Sequence, residues 1–219
     1  MKTIQEVVES TVRKTPFIEE ALHEKLINVS SLARIILPEV SKTLKKDIKV
    51  GAVMMAINRL SPASELRIRK NIKKIAVNLG DFIVRSDLCD FTFKNTPTLL
   101  KEIAKILTKT ADKNDAFLTI SQGIFETNIV ASKSLQKYIE TIFEKETCIN
   151  NVLDLASITI KLPVNNLEQS GIYYFILKQL AWADIALQEV ISTTNEMTIV
   201  VKENDINETF GILMNLKSA

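Results

Sequence analysis

Apolar residues recur at helical spacing through the first eighty positions and alternate with polar ones after Gly80. This change of period from 3.6 to 2 divides the chain before any motif is considered. An α+β protein follows, with an all-helical domain over residues 1–80 and strands confined to the remainder. Thr3 heads a helix carrying Ile4, Val7, Val8 and Val12, and Pro16 opens a second with Phe17, Ile18, Ala21, Leu22, Leu26 and Ile27. Ser30 and Ser31 stand where they would cap a third helix with Leu32, Ala33, Ile35, Ile36, Val40 and Leu44. Pro38 lies either one turn inside that helix or at a break in it. After a turn at Lys45 to Ile48, Lys49 to Leu60 predicts a fourth helix with Val53, Ala56, Ile57 and Leu60 on one face. A fifth over 65–79 turns Leu66, Ile72, Ile75, Ala76 and Leu79 inward and stops at Gly80.

The back half occurs twice. Phe82, Val84 and then Cys89, Phe91 and Phe93 alternate with polar residues up to Asn95-Thr96-Pro97. Strand CDFTFKN, a helix over 98–110, strands within AFLTISQGIFETNIVAS and a helix over 133–143 form one unit. Strand ASITIKLP, a helix over 171–183, strands within LQEVISTTNEMTIVV and a helix over 205–216 form the other. Ile120-Ser121 matches Ile191-Ser192 and Ile129-Val130 matches Ile199-Val200, at offsets of 71 and 70 residues. Two repeats, 81–150 and 151–219, are the expectation. Each, at about 60 residues, is marginal alone, so the pair buries surface mutually or against a second subunit, as in a homodimer.

Composition narrows the function. With 46% hydrophobic and 25% charged residues in 219, the chain is ordinary for a globular protein. The net charge of +2 conceals a split: residues 1–85 hold 16 Lys/Arg against 9 Asp/Glu, and residues 86–219 hold 12 against 17. A basic front raises the expectation of an anionic partner there. Apolar runs such as Gly51 to Ile57 and Gly171 to Leu177 are far shorter than the roughly 20 residues of a membrane span. The start MKTIQEVVESTVRK carries acidic residues where an export signal has its apolar core, so a cytoplasmic address is expected. Cys89 and Cys148 form no Cys-x-x-Cys pair, and with His23 as the only histidine no structural zinc site can be assembled. The five glycines, Gly51, Gly80, Gly123, Gly171 and Gly211, are isolated, so no glycine-rich loop cradles a phosphate and no cofactor is expected.

The order strand-helix-strand-strand-helix, the segment SGIYYFILKQLAWADIALQEVIS and the following TTNEMTIVV together resemble ACT domains, specifically the tandem ACT regulatory region of aspartate kinases, over residues 86–217. The resemblance implies two ferredoxin-like βαββαβ repeats that bind an amino acid between paired copies. In the second repeat, Gly171 allows close approach to the backbone at a helix start whose free N–H groups suit a carboxylate. Gln169, Ser170 and Ile172 complete that loop by position, and Ser192, Thr193, Thr194 and Asn195 offer hydroxyl and amide groups to an ammonium. A capped helix start followed by a polar hairpin is the plainer reading of the same residues. In the first repeat Asn95-Thr96-Pro97-Thr98 replaces the glycine, while Ser121 and Gln122 match the strand position, which points to a structural or weaker copy. No Lys-Phe-Gly-Gly phosphate site of an aspartate kinase occurs, so a non-catalytic protein is expected.

The helical front has the order of a helix-turn-helix, and INVSSLARII resembles the positioning helix of bacterial repressors. Arg34 would meet a phosphate, and Lys49, Asn58 and Arg59 on the fourth helix would face bases, although PEVSKTLKKD is long for the connecting turn. Arg67, Arg69, Lys70, Lys73 and Lys74 present a further basic face. A ligand-responsive DNA-binding regulator is one expectation. The alternative is a regulatory or scaffold subunit that docks on an amino-acid biosynthetic enzyme through the helical front. Catalysis lacks a nucleophile and base pair: His23 sits among Glu19, Glu20 and Glu24 as a surface residue, Cys89 points to a packed face, and Cys148 falls in a linker. Tyr173, Tyr174 and Trp182 lie at helical spacing, as core or interface residues do.

Overall fold

The computed structural model describes the chain except Met1, Glu24, residues 61–77, Asn114, Asn165, residues 167–170 and Ala219, and except the side chains of Pro16, Phe17, Glu20, His23 and Ser218. Almost all of the fifth expected helix, including Arg67, Arg69, Lys70, Lys73 and Lys74, therefore lies outside the described residues, as do Gln169, Ser170 and the His23 side chain. The chain divides into two compact units, Met1–Asn71 and Ile72–Ala219. Among the described residues no helix is long and apolar enough to cross a membrane.

The first unit holds α1 (Ile4–Arg13), α2 (Pro16–His23), α3 (Val29–Leu44) and α4 (Val50–Asn58). Thr3 and Glu6 form a reciprocal capping box that satisfies two free donors at the start of α1. Asn28, not Ser30 or Ser31, caps α3, its side chain accepting from Ser31 N–H at 3.0 Å. The two serines are already in the first turn. Helix α3 runs unbroken through Pro38 to Leu44 and ends on Lys45 in the left-handed conformation. The link to α4 is thus only residues 45–49, shorter than PEVSKTLKKD suggests. Val7, Val8 and Val12 of α1 meet Leu32, Ala33, Ile36 and Val40 of α3 and Val53, Ala56 and Ile57 of α4 in one buried cluster.

The second unit holds β1 (Phe82–Lys94), α5 (Leu99–Thr110), β2 (Leu118–Gln122), β3 (Glu126–Ser132), α6 (Gln136–Ile142), β4 (Cys148–Lys161), α7 (Ile172–Trp182), β5 (Leu187–Ser192), β6 (Glu196–Lys202) and α8 (Ile206–Ser218). A 3₁₀ turn precedes α6 (Lys133–Leu135) and another precedes α8 (Glu203–Asp205). The strands form one curled antiparallel sheet in the order β2-β3-β1-β4-β6-β5. Cys148 opens β4 and is exposed, so the expected linker there is strand.

The two long strands serve both repeats. The later half of β1 pairs with β3, while its earlier half, Phe82 to Arg85, pairs only with β4. In the same way β4 gives its later half, Leu155 to Lys161, to β6 and its earlier half to β1. Each βαββαβ repeat thus obtains its fourth strand from the leading strand of the other. Asp87 (φ 53°) and Asp154 (φ 56°) sit at the midpoints, where the register slips by one residue in each strand. Asp tolerates the left-handed region better than most residues, and each makes a bulge that exchanges the faces of its strand.

One face of the sheet carries α5, α6, α7 and α8. Cys89, Phe91, Phe93, Ile129 and Ala131 pack with Leu99, Ile103 and Ile106 of α5 and with Ile139 of α6. Ile158, Ile160, Met197, Ile199 and Val201 pack with Ile172, Ile176 and Leu180 of α7 and with Leu213 and Leu216 of α8. On the opposite face, Leu88 and Leu155 are partners across the sheet midline and are buried with Val130 and Val200. Cys89 is fully buried as its alternation implied, and burial pushes its thiol up to about 11, which removes the thiolate a nucleophile needs.

Candidate ligand site

The second repeat's site is assembled by α7 and the β5–β6 hairpin. Gly171 precedes α7 at φ 99°, a conformation that only glycine adopts without strain, and among the described residues no side chain caps the helix start. Ile172, Ile176 and Leu180 anchor the helix in the core, so Ile172 can offer a ligand only its backbone N–H. The amides of the first turn have no partner within the helix itself and lie at the positive end of its dipole. Across from them, Ser192 Oγ and Tyr173 Oη share a hydrogen bond of 2.6 Å. Ser192 Oγ also donates toward the carbonyls of Thr193 and Glu196, both at 3.2 Å, and Thr193 N–H closes the hairpin on Glu196 O at 2.9 Å.

The hairpin is tied to the segment before the helix. Leu162 N–H donates to Asn195 O at 2.7 Å, and Asn166, 3% exposed, donates through Nδ2 to Thr194 O at 2.6 Å and to Pro163 O at 3.0 Å. Ser192, Thr193, Thr194 and Asn195 are all exposed. Sequence reasoning did not place Tyr173 or Asn166 here. Tyr173 follows Gly171 by two residues, which puts its ring in the first turn facing the hairpin, and that proximity was the available signal. Asn166 carries no comparable signal, because its partners are 28 residues away in Thr194 and local at Pro163.

The first repeat repeats the backbone with other side chains. Gly123 N–H donates to Glu126 O at 2.8 Å, the counterpart of the Thr193 bond, and Asn95 N–H donates to Phe125 O at 3.1 Å, the counterpart of the Leu162 bond. Asn95 Nδ2 also donates to Gly123 O at 2.9 Å and its Oδ1 accepts from Thr127 Oγ1 at 2.7 Å. Ser121 and Gln122 are exposed at the end of β2. At the start of α5 the hydroxyls of Thr96 and Thr98 donate to the Glu146 carboxylate at 2.5 Å and 2.6 Å. These bonds, Thr96 first, hold the Glu146 carboxyl below its ordinary value.

No family model matches the chain, and no curated protein matches it. Solved structures do. One is a chain from a structure of aspartokinase alpha and beta subunits, at 13% identity and a TM-score of 0.52, covering 64% of this chain and 99% of that one. A second is the regulatory subunit of aspartate kinase from Thermus thermophilus, at 10% identity and a TM-score of 0.50, covering 64% of this chain and 98% of that one. The C-terminal unit has the fold of an aspartate-kinase regulatory region. The aspartate kinase of Synechocystis agrees, at 14% identity and a TM-score of 0.53, with 66% of this chain covering only 28% of that one. The likeness to this regulatory fold therefore lies in the non-catalytic part of the kinases.

The helical unit places the other predicted residues apart. Arg34 is exposed and donates through Nη2 to Ser30 Oγ at 3.0 Å. Lys49 precedes the first turn of α4, whereas Asn58 ends the helix and Arg59 follows it, a separation of about 13 Å along the axis. All three are exposed, but they do not form one cluster. Among the described residues no group of three or more His, Cys, Asp or Glu could hold a metal ion.

Proposed function

We propose that the chain is a non-catalytic regulatory protein that binds a small amino acid at the second repeat and docks on an enzyme of amino-acid biosynthesis through its helical unit. The observation that carries this reading is a fold match spanning 98% of a separate regulatory subunit, combined with a glycine helix start, without a side-chain cap among the described residues, whose Tyr173 bonds Ser192. The ligand carboxylate would sit on the first amides of α7, and its ammonium would meet the hydroxyls and carbonyls of the hairpin over Ser192, Thr193, Thr194 and Asn195. Gln169 and Ser170 would close the loop. Binding would favour one arrangement of the paired repeats, in a homodimer by preference, and transmit that preference to the partner. Ile35 and Met55, 75% and 56% exposed on α3 and α4, give the helical unit apolar surface suited to a protein partner.

Thermal unfolding of the full chain with each amino acid tests the sensing half. A saturable rise in Tm with one of them, lost in Gly171→Ala, is expected, and no rise with any rejects the reading. The DNA-binding reading has one observation in its favour, the exposed lysines Lys42 in the last turn of α3 and Lys45, Lys46 and Lys49 between α3 and α4. It requires a gel shift whose affinity falls steeply with salt, by a log–log slope of about −0.9 per phosphate contacted. The docking reading expects no such shift.

A further inference from the structure

The two repeats are alike in backbone and unlike at one equivalent position beside their leading helices. Where β1 and β4 run past each other, Lys94 N–H donates to Thr147 O at one end and Gly80 N–H donates to Lys161 O at the other, both at 2.9 Å. The residue next outward is Glu146 at the first end and Leu79 at the second. Leu79 is 3% exposed and packs into the core with Leu162 and Ile172, so it brings no polar group to the start of α7. Glu146 instead turns its carboxylate onto both threonine hydroxyls at the start of α5, and Thr96 Oγ1 in turn accepts from Leu99 N–H at 3.2 Å. In the repeat with the glycine no described side chain caps the helix start. The repeat with threonines has a carboxylate of its own already on it.

We propose that Glu146 is an internal latch whose carboxylate occupies the place an external carboxylate would take at the start of α5, so that only the second repeat is open to ligand. The inequality follows from strand exchange: the fourth strand of the first repeat enters through Glu146, and that of the second enters through Leu79. This builds on the reading that such repeats receive a carboxylate at the helix start, but it can be tested without knowing the amino acid.

The probe is sodium acetate, titrated against sodium chloride at matched ionic strength into the ¹⁵N-labelled full chain. In the wild type the amides of Thr98, Leu99 and Leu100 are expected to stay in place. In Glu146→Ala they are expected to move saturably with acetate, and in the triple variant that also carries Thr96→Val and Thr98→Val they are expected to stay again. Should the alanine variant unfold, Glu146→Ser, which also vacates the place but keeps a polar side chain, takes its place in the same titration. Acetate shifts at these amides in the wild type, or none in the Glu146 variants, would overturn the latch. The amino-acid screen is separate: an empty screen with an acetate response in Glu146→Ala rejects sensing and leaves the latch standing, and a positive screen without that response does the reverse.

Discussion

Among the described residues, the first repeat closes its helix start with side chains and the second does not. Thr96, Thr98 and Glu146 satisfy one another at α5, whereas Gly171 offers α7 no side-chain cap at all. The hairpin tips differ in the same sense: Ile124 and Phe125, 87% and 82% exposed, occupy the places taken by Thr194 and Asn195. Both tips keep the same closing bonds, from Gly123 and from Thr193. A shared backbone with divided chemistry is how one fold separates a structural copy from a binding copy. The sheet nevertheless joins them, because each long strand belongs to both.

The largest effect should come from the shared midline. Leu88 and Leu155 face each other at 0% exposure, one from each repeat. Leu155→Ala should cost about 2–5 kcal/mol by lost burial and residual cavity. Because β1 and β4 complete both repeats, urea unfolding followed by separate probes in each should show one common, lowered midpoint. Two midpoints would mean that the repeats are independent despite the exchanged strands.

Gly171→Ala sharpens the contrast at the next scale. A Cβ at φ 99° should cost about 1–2 kcal/mol and weaken amino-acid binding at the second repeat. Thr96→Ala removes the bond to Leu99 N–H and should cost about 1 kcal/mol, with amino-acid affinity unchanged. Chemical denaturation and calorimetric titration of the two variants measure both quantities. Equal losses of affinity would erase the proposed division of labour.

Much of this architecture was legible because it rests on local periodicity. The shift from even apolar positions at Phe82 and Val84 to odd ones at Cys89, Phe91 and Phe93 marks the bulge at Asp87, which the alternation contains without locating. The repeat was visible in paired Ile-Ser and Ile-Val steps. The exchange of strands was not, since nothing in Cys148 to Leu155 says that its partner is β1. Asn28 outcompeted Ser30 and Ser31 as the cap of α3 because the helix begins one turn earlier than its apolar stripe suggests. At the site, Gly171 announced itself through residue type, while Glu146 lies 50 and 48 residues from its partners, a distance no local pattern spans.

The smallest expected effects concern two further equivalent positions, Asp90 and Ser157, on the face opposite the helices. Both are buried, at 2% and 0% exposure. Asp90 accepts from Asn128 Nδ2 at 2.6 Å, whereas Ser157 Oγ has no hydrogen-bond partner among the described residues. Ser157→Ala should therefore stabilise, by up to about 1 kcal/mol, because an unsatisfied hydroxyl is removed. Burial raises the Asp90 carboxyl, with the Asn128 bond opposing, so the folded protein holds that proton more tightly than the unfolded chain does. The stabilising contribution of this group is then complete below the ordinary carboxyl value of about 4 and is lost as pH rises through the folded value. Asp90→Asn keeps the acceptor for Asn128 and removes the charge, so its advantage over the wild type should be larger at pH 7 than at pH 4. Urea unfolding at both pH values measures this, and the Ser157→Ala gain should show no such dependence. An advantage of equal size at the two pH values would mean that the charge on Asp90 is not what distinguishes the repeats on this face.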